Sequence, residues 1–544
     1  MVQPGISTPV REGDRRRLQL ISGWPAFVSL AVVFVVLRLP SFVEPPTFND
    51  EGSYADIGWA LDHGAVLYRD VWGHYTPGVY WLGAAINLVH TSVLAFHIVL
   101  AAAVALTALG IWLFCMRFAS QRVAWGATLA FVILASLPTF EGDVLYVEII
   151  GAVLAMWAVL LVARRAPVAW YAAISAGLLV SAAVLFKVTF AADAVVLATL
   201  PIVIAMASGR RVGRADSRTT LLVVTGGVVL VGVATCALWL GGSMPGLLDV
   251  LIKQDFAYLS ASSGGASGSV AVAGGSAPTL FVMTLTRIAV VLLAGAAVTW
   301  WLARRRRVGA TIAAWWLTWD LAAVVVSGLG LAHYVQQAEP ALCICAALVA
   351  EALLRRLPAR NLTLAAGATV AAWAVCVASL LAPTAEASIV ASQPVGTFTS
   401  AIVSPRVLTH YLGQGWERAL GLITPAAYEA GLGKQAALVR EAVKVIETHS
   451  RSTDLVFVWG RLPWVYALSG RLPSGRYVSL NSAYALDPGA EQRLISELRA
   501  HPPVVLVALD ALPATVSAML KKLHYIRLSQ CSGVERCWAL PRKA

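Results

Sequence analysis

The feature that most constrains this chain is a series of apolar runs, each about 20 residues long, that recurs between residues 18 and 382. A run of that length lets one helix cross the hydrocarbon core of a bilayer. The composition agrees, because 58% of the 544 residues are hydrophobic and 13% are charged, whereas soluble domains carry about 25% charged residues. The sequence therefore predicts a polytopic α-helical membrane protein.

Basic residues form clusters at alternate connections between the apolar runs. An excess of Lys and Arg in short loops marks the cytoplasmic side of a membrane protein. The net charge of +12 is thus explained by membrane orientation, and we do not expect nucleic acid as a partner. The clusters are Arg11 with Arg15–Arg17, Arg117 with Arg122, Arg164 with Arg165, Arg210, Arg211, Arg214 and Arg218, Arg304–Arg307, and Arg355, Arg356 and Arg360.

Placing these clusters in the cytoplasm predicts about 11 transmembrane helices, with the N-terminus inside and the C-terminus outside. Residues 1–17 form a basic cytoplasmic N-terminus, and residues 18–382 form the transmembrane domain. The first apolar run lacks a small-residue cleavage site after it, so we interpret it as an uncleaved anchor. The predicted spans cover residues 18–39, 94–116, 123–138, 145–163, 169–187, 190–207, 219–241, 279–302, 309–329, 335–354 and 362–382.

The outer loop 40–92 is predicted to contain interfacial helices instead of a span. Its segment PPTFNDEGSYADIGWALDHG is too polar to cross a bilayer, and Asn49 or Asp50 is suited to cap a helix there. The segment GVYWLGAAINLVHTS is apolar for only about 12 residues, which fits an interfacial or re-entrant helix. Counting it as a span would move Arg117 and Arg122 to the outside, against the charge pattern.

The composition changes near residue 383, and residues 383–544 are predicted to form a small extracytoplasmic α/β domain. Residues 454–460, 477–481 and 502–510 have the pattern of short buried strands, and residues 434–450 and 489–501 that of amphipathic helices. Cys531 and Cys537 lie six residues apart and are suited to a disulfide in an oxidising compartment. Spacing alone does not fix pairing, so free thiols stay an alternative.

Threaded in this way, ionisable and polar residues from several distant segments before the C-terminal domain collect on the outer face. Such groups near a bilayer cost several kcal/mol unless they are paired or hydrated, so their accumulation at one depth predicts a shared hydrated cavity. Carboxylates and cations together suit a lipid-phosphate substrate and a hydroxyl nucleophile. The residues are Asp50, Glu51, Arg69, Asp70, Glu141, Asp143, Glu148, Lys187, His333, Tyr334 and Glu339.

The segment NDEGSYADIGWALDHGAVLYRDVWGHYTPGVYWL resembles the first outer loop of multispan glycosyltransferases that use polyprenyl-phosphate sugars. This is the GT-C superfamily, which includes protein O-mannosyltransferase and aminoarabinose transferase relatives. The matching pieces are Asp50-Glu51-Gly52 with Tyr54, Tyr68-Arg69-Asp70 with Trp72, and Pro77-Gly78 with Tyr80. Weaker matches follow at Glu148, at Lys187, and in AHYVQQAEPAL, which contains His333, Tyr334 and Glu339.

The resemblance implies sugar transfer from a polyprenyl-phosphate donor to a hydroxyl of a lipid, polysaccharide or protein acceptor, outside a bacterial plasma membrane. Asp50 is the implied base, with Glu51 beside it, and transfer would invert the anomeric centre. Lys187 and Arg69 would bind the donor phosphate. No ligand spacing requires a metal, although the acids are suited to a divalent ion. Tyr54, Asp70, Glu148, His333, Tyr334 and Glu339 would line the donor and acceptor pocket.

Other interpretations stay open at this stage. Asp50 can serve only as a helix cap, Arg69 and Asp70 can pair with each other, and Lys187 can extend toward the interface. A transporter or lipid flippase is an alternative, although internal repeats and broken midplane helices are not evident. A membrane-anchored binding protein that acts through residues 383–544 is a third hypothesis, which intact Asp50 and Glu51 disfavour.

Overall fold

Helices dominate the computed structural model, which describes residues 27–47, 49–164, 167–254, 277–327, 332–355, 405–432, 435–460, 462, 464–480, 487, 489–509, 511–529, 531 and 536–541. The helices before residue 356 are α1 (27–38), α2 (Asn49–Asp62), α3 (Gly78–Val89), α4 (Val93–Phe118), α5 (Gln121–Leu134), α6 (Val147–Val162), α7 (Trp170–Phe186), α8 (Ala191–Ala207), α9 (Arg214–Leu240), α10 (Met244–Leu248), α11 (Ala277–Arg304), α12 (Val308–Val326) and α13 (Glu339–Leu354).

The long apolar helices coincide with the predicted spans. In the described part of the chain, five apolar stretches of at least 18 residues are long enough to cross a membrane, and they lie in α4, α8, α9, α11 and α12. Shorter apolar helices α1, α5, α6, α7 and α13 match the other spans before residue 356. The protein is therefore a multi-pass membrane protein. The described residues do not include the predicted cytoplasmic N-terminus, the beginning of span 1, the eleventh span or the domain boundary at residue 383. The number of spans and their orientation therefore stay predictions.

Local sequence explains where these helices begin and end. Ser92 and Ser120 cap α4 and α5, since each hydroxyl accepts a hydrogen bond from the amide three residues later. Span 3 was predicted to reach residue 138, but α5 ends at Leu134, and Pro138 begins a 3₁₀ turn (Pro138–Phe140). A second 3₁₀ turn, Ala332–Gln337, precedes α13. Both turns lie at the end of the bundle that was predicted to face outward.

The interfacial helices α2 and α3 pack closely through two glycines. A Cβ at Gly58 would lie 2.4 Å from the amide nitrogen of Ala84, and a Cβ at Gly83 would lie 2.3 Å from the carbonyl oxygen of Tyr54. Only residues without side chains permit the two backbones to approach this far. This contact fixes the position of α2, which carries Asp50.

The C-terminal part contains a small mixed sheet covered by helices. Its helices are α14 (Pro405–Ala419), α15 (Pro425–Leu432), α16 (Gln435–His449), α17 (Val465–Ser469), α18 (Ala490–Ala500) and α19 (Ala514–Lys522). Its strands are β1 (Leu455–Trp459), β2 (Leu472–Pro473), β3 (Val505–Ala508), β4 (Ile526–Arg527) and β5 (Arg536–Ala539). The spatial order is β2-β1-β3-β5-β4, in which β1 runs parallel to β2 and β3, and β5 runs antiparallel to β3 and β4.

Two predicted strands are confirmed and one is wrong. β1 and β3 lie within 454–460 and 502–510, and Val456 pairs with Val505. The predicted strand 477–481 is not a strand over its described residues; the chain pairs earlier, at Leu472–Pro473. Tyr477 is instead buried against Trp72 of the outer loop, with ring centroids 5.6 Å apart, so its apolar pattern reflects domain packing. Cys531 and Cys537 form a disulfide.

Helix α2 also anchors the C-terminal domain. Asp56, which is fully buried, accepts a 2.8 Å hydrogen bond from the amide of Ala467 in α17. Phe96 of α4 packs edge-on against Trp464, with ring centroids 5.1 Å apart. Burial raises the pKa of the Asp56 carboxyl to about 8, although backbone amides of α17 hydrogen-bond to it and favour its charged form.

We expect the Gly83→Ala substitution to destabilise the protein, because the new methyl group would overlap the Tyr54 carbonyl. Overpacking of this kind lowers the free energy of unfolding by about 1–3 kcal/mol. Thermal unfolding in detergent measures the effect. Gly232→Ala in α9 is the matched control, since a Cβ there meets nothing within 4 Å; an equal loss of stability in both variants would contradict the close contact.

We also expect stability to fall as the pH rises from about 4 to about 8 through Asp56. Over that range the folded protein keeps the Asp56 proton and the unfolded chain releases it, so a higher pH favours unfolding. The unfolding temperature of wild type should therefore decline with pH more steeply than that of Asp56→Asn, which keeps a side-chain oxygen acceptor without titrating. Parallel pH profiles for the two proteins would refute this.

Candidate active site

The first turn of α2 holds the two adjacent acids of the outer loop. Asp50 is half-buried, and its Oδ2 accepts a 3.3 Å hydrogen bond from the hydroxyl of Tyr75. Glu51 is buried, and its Oε2 accepts a 2.9 Å hydrogen bond from the amide of Leu145. The two carboxylates therefore have different surroundings, one accessible and one enclosed.

Glu51 joins α2 to the membrane helices. Its Oε2 lies 3.3 Å from Nε2 of His97 in α4, and both side chains are almost completely buried. The other ring nitrogen of His97 faces the carbonyl oxygen of Ser41. These contacts hold the beginning of α2, where Asp50 lies, against α4 and against the turn after α1.

Lys187 lies at the centre of a second cluster. It forms the C-cap of α7, and Glu148 lies in the first turn of α6, so the ends of these two helices meet. The Lys187 Nζ is 2.5 Å from Glu148 Oε1 and 3.9 Å from the centroid of the Tyr334 ring. The Glu148 Oε2 is buried without a hydrogen-bond partner among the described residues, which leaves an acceptor for a polar ligand.

His333 lies beside this cluster and is tied to the turn after α5. Its Nδ1 is 2.6 Å from Glu141 Oε2, and its ring stacks on Tyr146 at a centroid distance of 4.2 Å. Burial opposes the charged imidazole, but the carboxylates of Glu141 and Glu148 outweigh it and raise the pKa of His333. We therefore expect a positive charge on His333 to be favoured by its two acidic neighbours.

Tyr54 and Tyr75 lie between the two clusters. Burial raises the pKa of both hydroxyls well above the usual range, and the charges of Asp50 and Glu148 raise both further. The two rings meet edge to face, with centroids 5.7 Å apart. One polar region thus contains Asp50 from α2 and Glu148 from α6, with Lys187 attached to Glu148.

Arg69 and Asp70 lie on an exposed turn. The Arg69 Nε and Nη2 donate to the two oxygens of Asp70, each at 2.8 Å, and their side chains are 55% and 40% exposed. Arg69 and Asp70 therefore form an ion pair with each other on the surface. Glu339 begins α13 and is fully buried, with neither carboxylate oxygen hydrogen-bonded to a described residue. The predicted roles of these three residues receive no support from their contacts.

Three residues near the site were not among the sequence-predicted candidates. They are Tyr75, which donates to Asp50, His97, which lies beside Glu51, and Tyr146, which stacks on His333. His97 had a usable signal, because an ionisable residue inside a predicted span is a functional candidate by default. Tyr75 and Tyr146 had none, since aromatic residues are common at membrane interfaces.

Comparisons with solved structures identify the architecture. The crystal structure of ArnT from Cupriavidus metallidurans in the apo state matches with a TM-score of 0.59 and 15% identity, covering 96% of this chain and 98% of ArnT. ArnT bound to undecaprenyl phosphate matches with a TM-score of 0.56 and 16% identity, covering 96% of this chain and 99% of ArnT.

The chain shares the fold of ArnT. ArnT belongs to the GT-C superfamily that the outer loop resembles, so the predicted likeness is confirmed at the level of the fold. The oligosaccharyltransferase AglB from Archaeoglobus fulgidus, in complex with an inhibitory peptide and a dolichol-phosphate, matches with a TM-score of 0.46 and 15% identity, over 88% of this chain and 69% of AglB. No protein-family model matches the sequence, and the search of curated proteins finds no significant match.

Within this fold, the polar region contains a carboxylate and an ammonium. Asp50 is an accessible carboxylate that can accept a proton. Lys187 is an ammonium that can neutralise a phosphate. The two belong to one region that also contains Tyr54, Tyr75 and Tyr334.

Proposed function

We propose that this protein transfers a sugar from a polyprenyl-phosphate donor to an acceptor hydroxyl at the outer face of a bacterial plasma membrane. The observation that carries the proposal is the position of the Lys187 ammonium, which is held between Glu148 and Tyr334 in the polar region that also contains Asp50. The fold shared with ArnT, which has been crystallised with undecaprenyl phosphate, supports a lipid-linked donor.

Lys187 is the proposed phosphate ligand. In this role its ammonium would stabilise the negative charge that grows on the phosphate oxygen as the bond from that oxygen to the sugar breaks. A phosphate leaves without prior protonation, so the site needs no general acid. The Tyr334 ring under the ammonium would keep Lys187 directed at the phosphate while its charge remains available.

Asp50 is the proposed base. The acceptor hydroxyl is a poor nucleophile, and a carboxylate that takes its proton during attack makes it a better one. The acceptor oxygen would bond to the anomeric carbon, the bond from that carbon to the phosphate oxygen would break, and Asp50 would hold the proton. A single displacement of this kind inverts the anomeric centre. Glu51, bound to Leu145 and His97, would keep Asp50 in place.

Glu148 would compete with the donor phosphate for Lys187 in this mechanism. The Glu148 carboxylate lies 2.5 Å from the Lys187 ammonium, so a phosphate that binds Lys187 must weaken this ion pair. The same carboxylate would satisfy the charge of Lys187 after the lipid phosphate leaves, because an unpaired buried charge is costly. This exchange favours release of the product.

We expect the Asp50→Asn variant to lose sugar transfer by about 10²- to 10⁴-fold, the usual contribution of a positioned base. Purified protein in liposomes, supplied with polyprenyl-phosphate sugars and membrane acceptors, measures transfer directly. Asp62→Asn at the other end of α2 is the matched control and should transfer sugar as wild type does. Full transfer by Asp50→Asn would remove the base assignment, while loss in both variants would indicate damage to α2.

We expect Lys187 and Glu148 to affect phosphate binding in opposite directions. Lys187→Gln should weaken undecaprenyl phosphate binding by at least about tenfold, because a charge-assisted hydrogen bond contributes about 1.5–3 kcal/mol. Glu148→Gln should bind the same lipid as tightly as wild type or more tightly, because it removes the competing negative charge.

Calorimetric titration of each variant with undecaprenyl phosphate gives the two dissociation constants. Undecaprenol, which lacks the phosphate, is the control ligand and should bind all three proteins alike. Equal weakening in both variants would show that the ion pair only supports the fold, and the phosphate assignment would fail.

A further inference from the structure

A cavity of about 260 Å³ lies between the end of α6, the connection before α7, and helices α8 and α9, remote from the candidate active site. Val162 at the end of α6 and Val168 before α7 line it, whereas Glu148 and Lys187 lie at the opposite ends of the same helices. Glu148 and Val162 are 14 positions apart, so at 1.5 Å per residue α6 separates the two sites by about 21 Å. The cavity is therefore distinct from the active-site region.

The inner wall of the cavity is apolar. Pro201 lies within α8, where its ring displaces the preceding turn and removes one backbone hydrogen bond. Pro201 and Ile204 line the cavity together with Val162 and Val168. A wall of this kind is suited to a hydrocarbon chain and gives a small polar solute little to bind.

The mouth of the cavity is basic. Arg164, from the connection after α6, and Arg210, from the connection after α8, both line it. Asp216 is the one carboxylate among the described lining residues, and Arg210 binds it at 2.7 and 2.8 Å. Arg306, from the connection after α11, packs on the neighbouring Gly209, where a Cβ would lie 2.6 Å from the Arg306 Cζ.

Two connections that are distant in sequence thus bring Arg164 and Arg210 to one small opening, and a third brings Arg306 against Gly209, which is next to Arg210. Orientation in the membrane requires basic loops, but it requires neither their convergence nor a cavity behind them. Guanidinium groups match the oxygens of a phosphodiester, and basic pockets between membrane helices bind anionic headgroups.

We propose that this cavity binds an anionic phospholipid, with the phosphodiester at Arg164 and Arg306 and the first part of an acyl chain against Pro201 and Ile204. The lipid would join the connection between α6 and α7 to α8 and α9 at the face opposite the active site. Binding would need the anionic headgroup and the hydrocarbon chain together, because the two walls recognise different parts of one molecule.

Titration of the full-length protein in neutral detergent with phosphatidylglycerol, followed by native mass spectrometry, tests this proposal. We expect Arg164→Gln/Arg306→Gln to bind phosphatidylglycerol about 30-fold more weakly, given the usual contribution of each basic residue to binding an anionic lipid. Arg122→Gln/Arg355→Gln removes the same charge from the beginning of α5 and from the end of α13, where no residue lines the cavity, and it should bind as wild type does.

A second variant separates the cavity from its surface charge. Ala215→Trp keeps every arginine and fills part of the space that Ala215 lines, so it should also weaken phosphatidylglycerol binding. The proposal is overturned if phosphatidylcholine or free glycerol phosphate binds as tightly as phosphatidylglycerol. It is equally overturned if the control pair loses as much affinity as the cavity pair, or if Ala215→Trp binds with unchanged affinity.

Discussion

The ion pair between Lys187 and Glu148 is the interaction on which the candidate site depends. A buried charge is stable only when a partner or a polar ligand compensates it, and here the two charges sit where α7 ends and α6 begins. Neither residue can move without leaving the other uncompensated. The ends of these helices must therefore meet, and this requirement sets the depth of the polar region in the bundle.

The rest of the region is built around that pair by short connections. The turn at Pro138–Phe140 and the turn at Ala332–Gln337 are joined because Gln336 Nε2 donates to the carbonyl oxygen of Phe140 at 2.7 Å. Glu141 and His333 meet beside them. Irregular backbone at the edge of a membrane bundle is stable when its polar groups are satisfied by protein, and here side chains of one turn satisfy the backbone of the other.

The sequence predicts the membrane helices well because their pattern depends on local composition. Apolar length and basic clusters placed α4 to α9 within a few residues of their observed bounds. The residues 477–481 failed as a strand because the burial of Tyr477 comes from contact with Trp72, which is 405 positions away. The pairing of Glu51 with His97 was likewise beyond local patterns, since it depends on the tertiary approach of α2 to α4. From the sequence, Arg69 and Lys187 were equally plausible ligands for the donor phosphate. Only the structure shows that Arg69 pairs with Asp70 on the surface, whereas Lys187 pairs with Glu148 inside the protein.

Helix α2 belongs to two parts of the molecule at once. Asp50 in its first turn faces the polar region, while Asp56, further along the same helix, binds the backbone of α17 in the C-terminal domain. The C-terminal domain therefore depends structurally on residues 49–62, although hundreds of residues separate α2 from α17 in the sequence. A foreign C-terminal domain grafted onto this membrane bundle would need a matching α2. Replacing α2 would also replace Asp50, which faces the polar region.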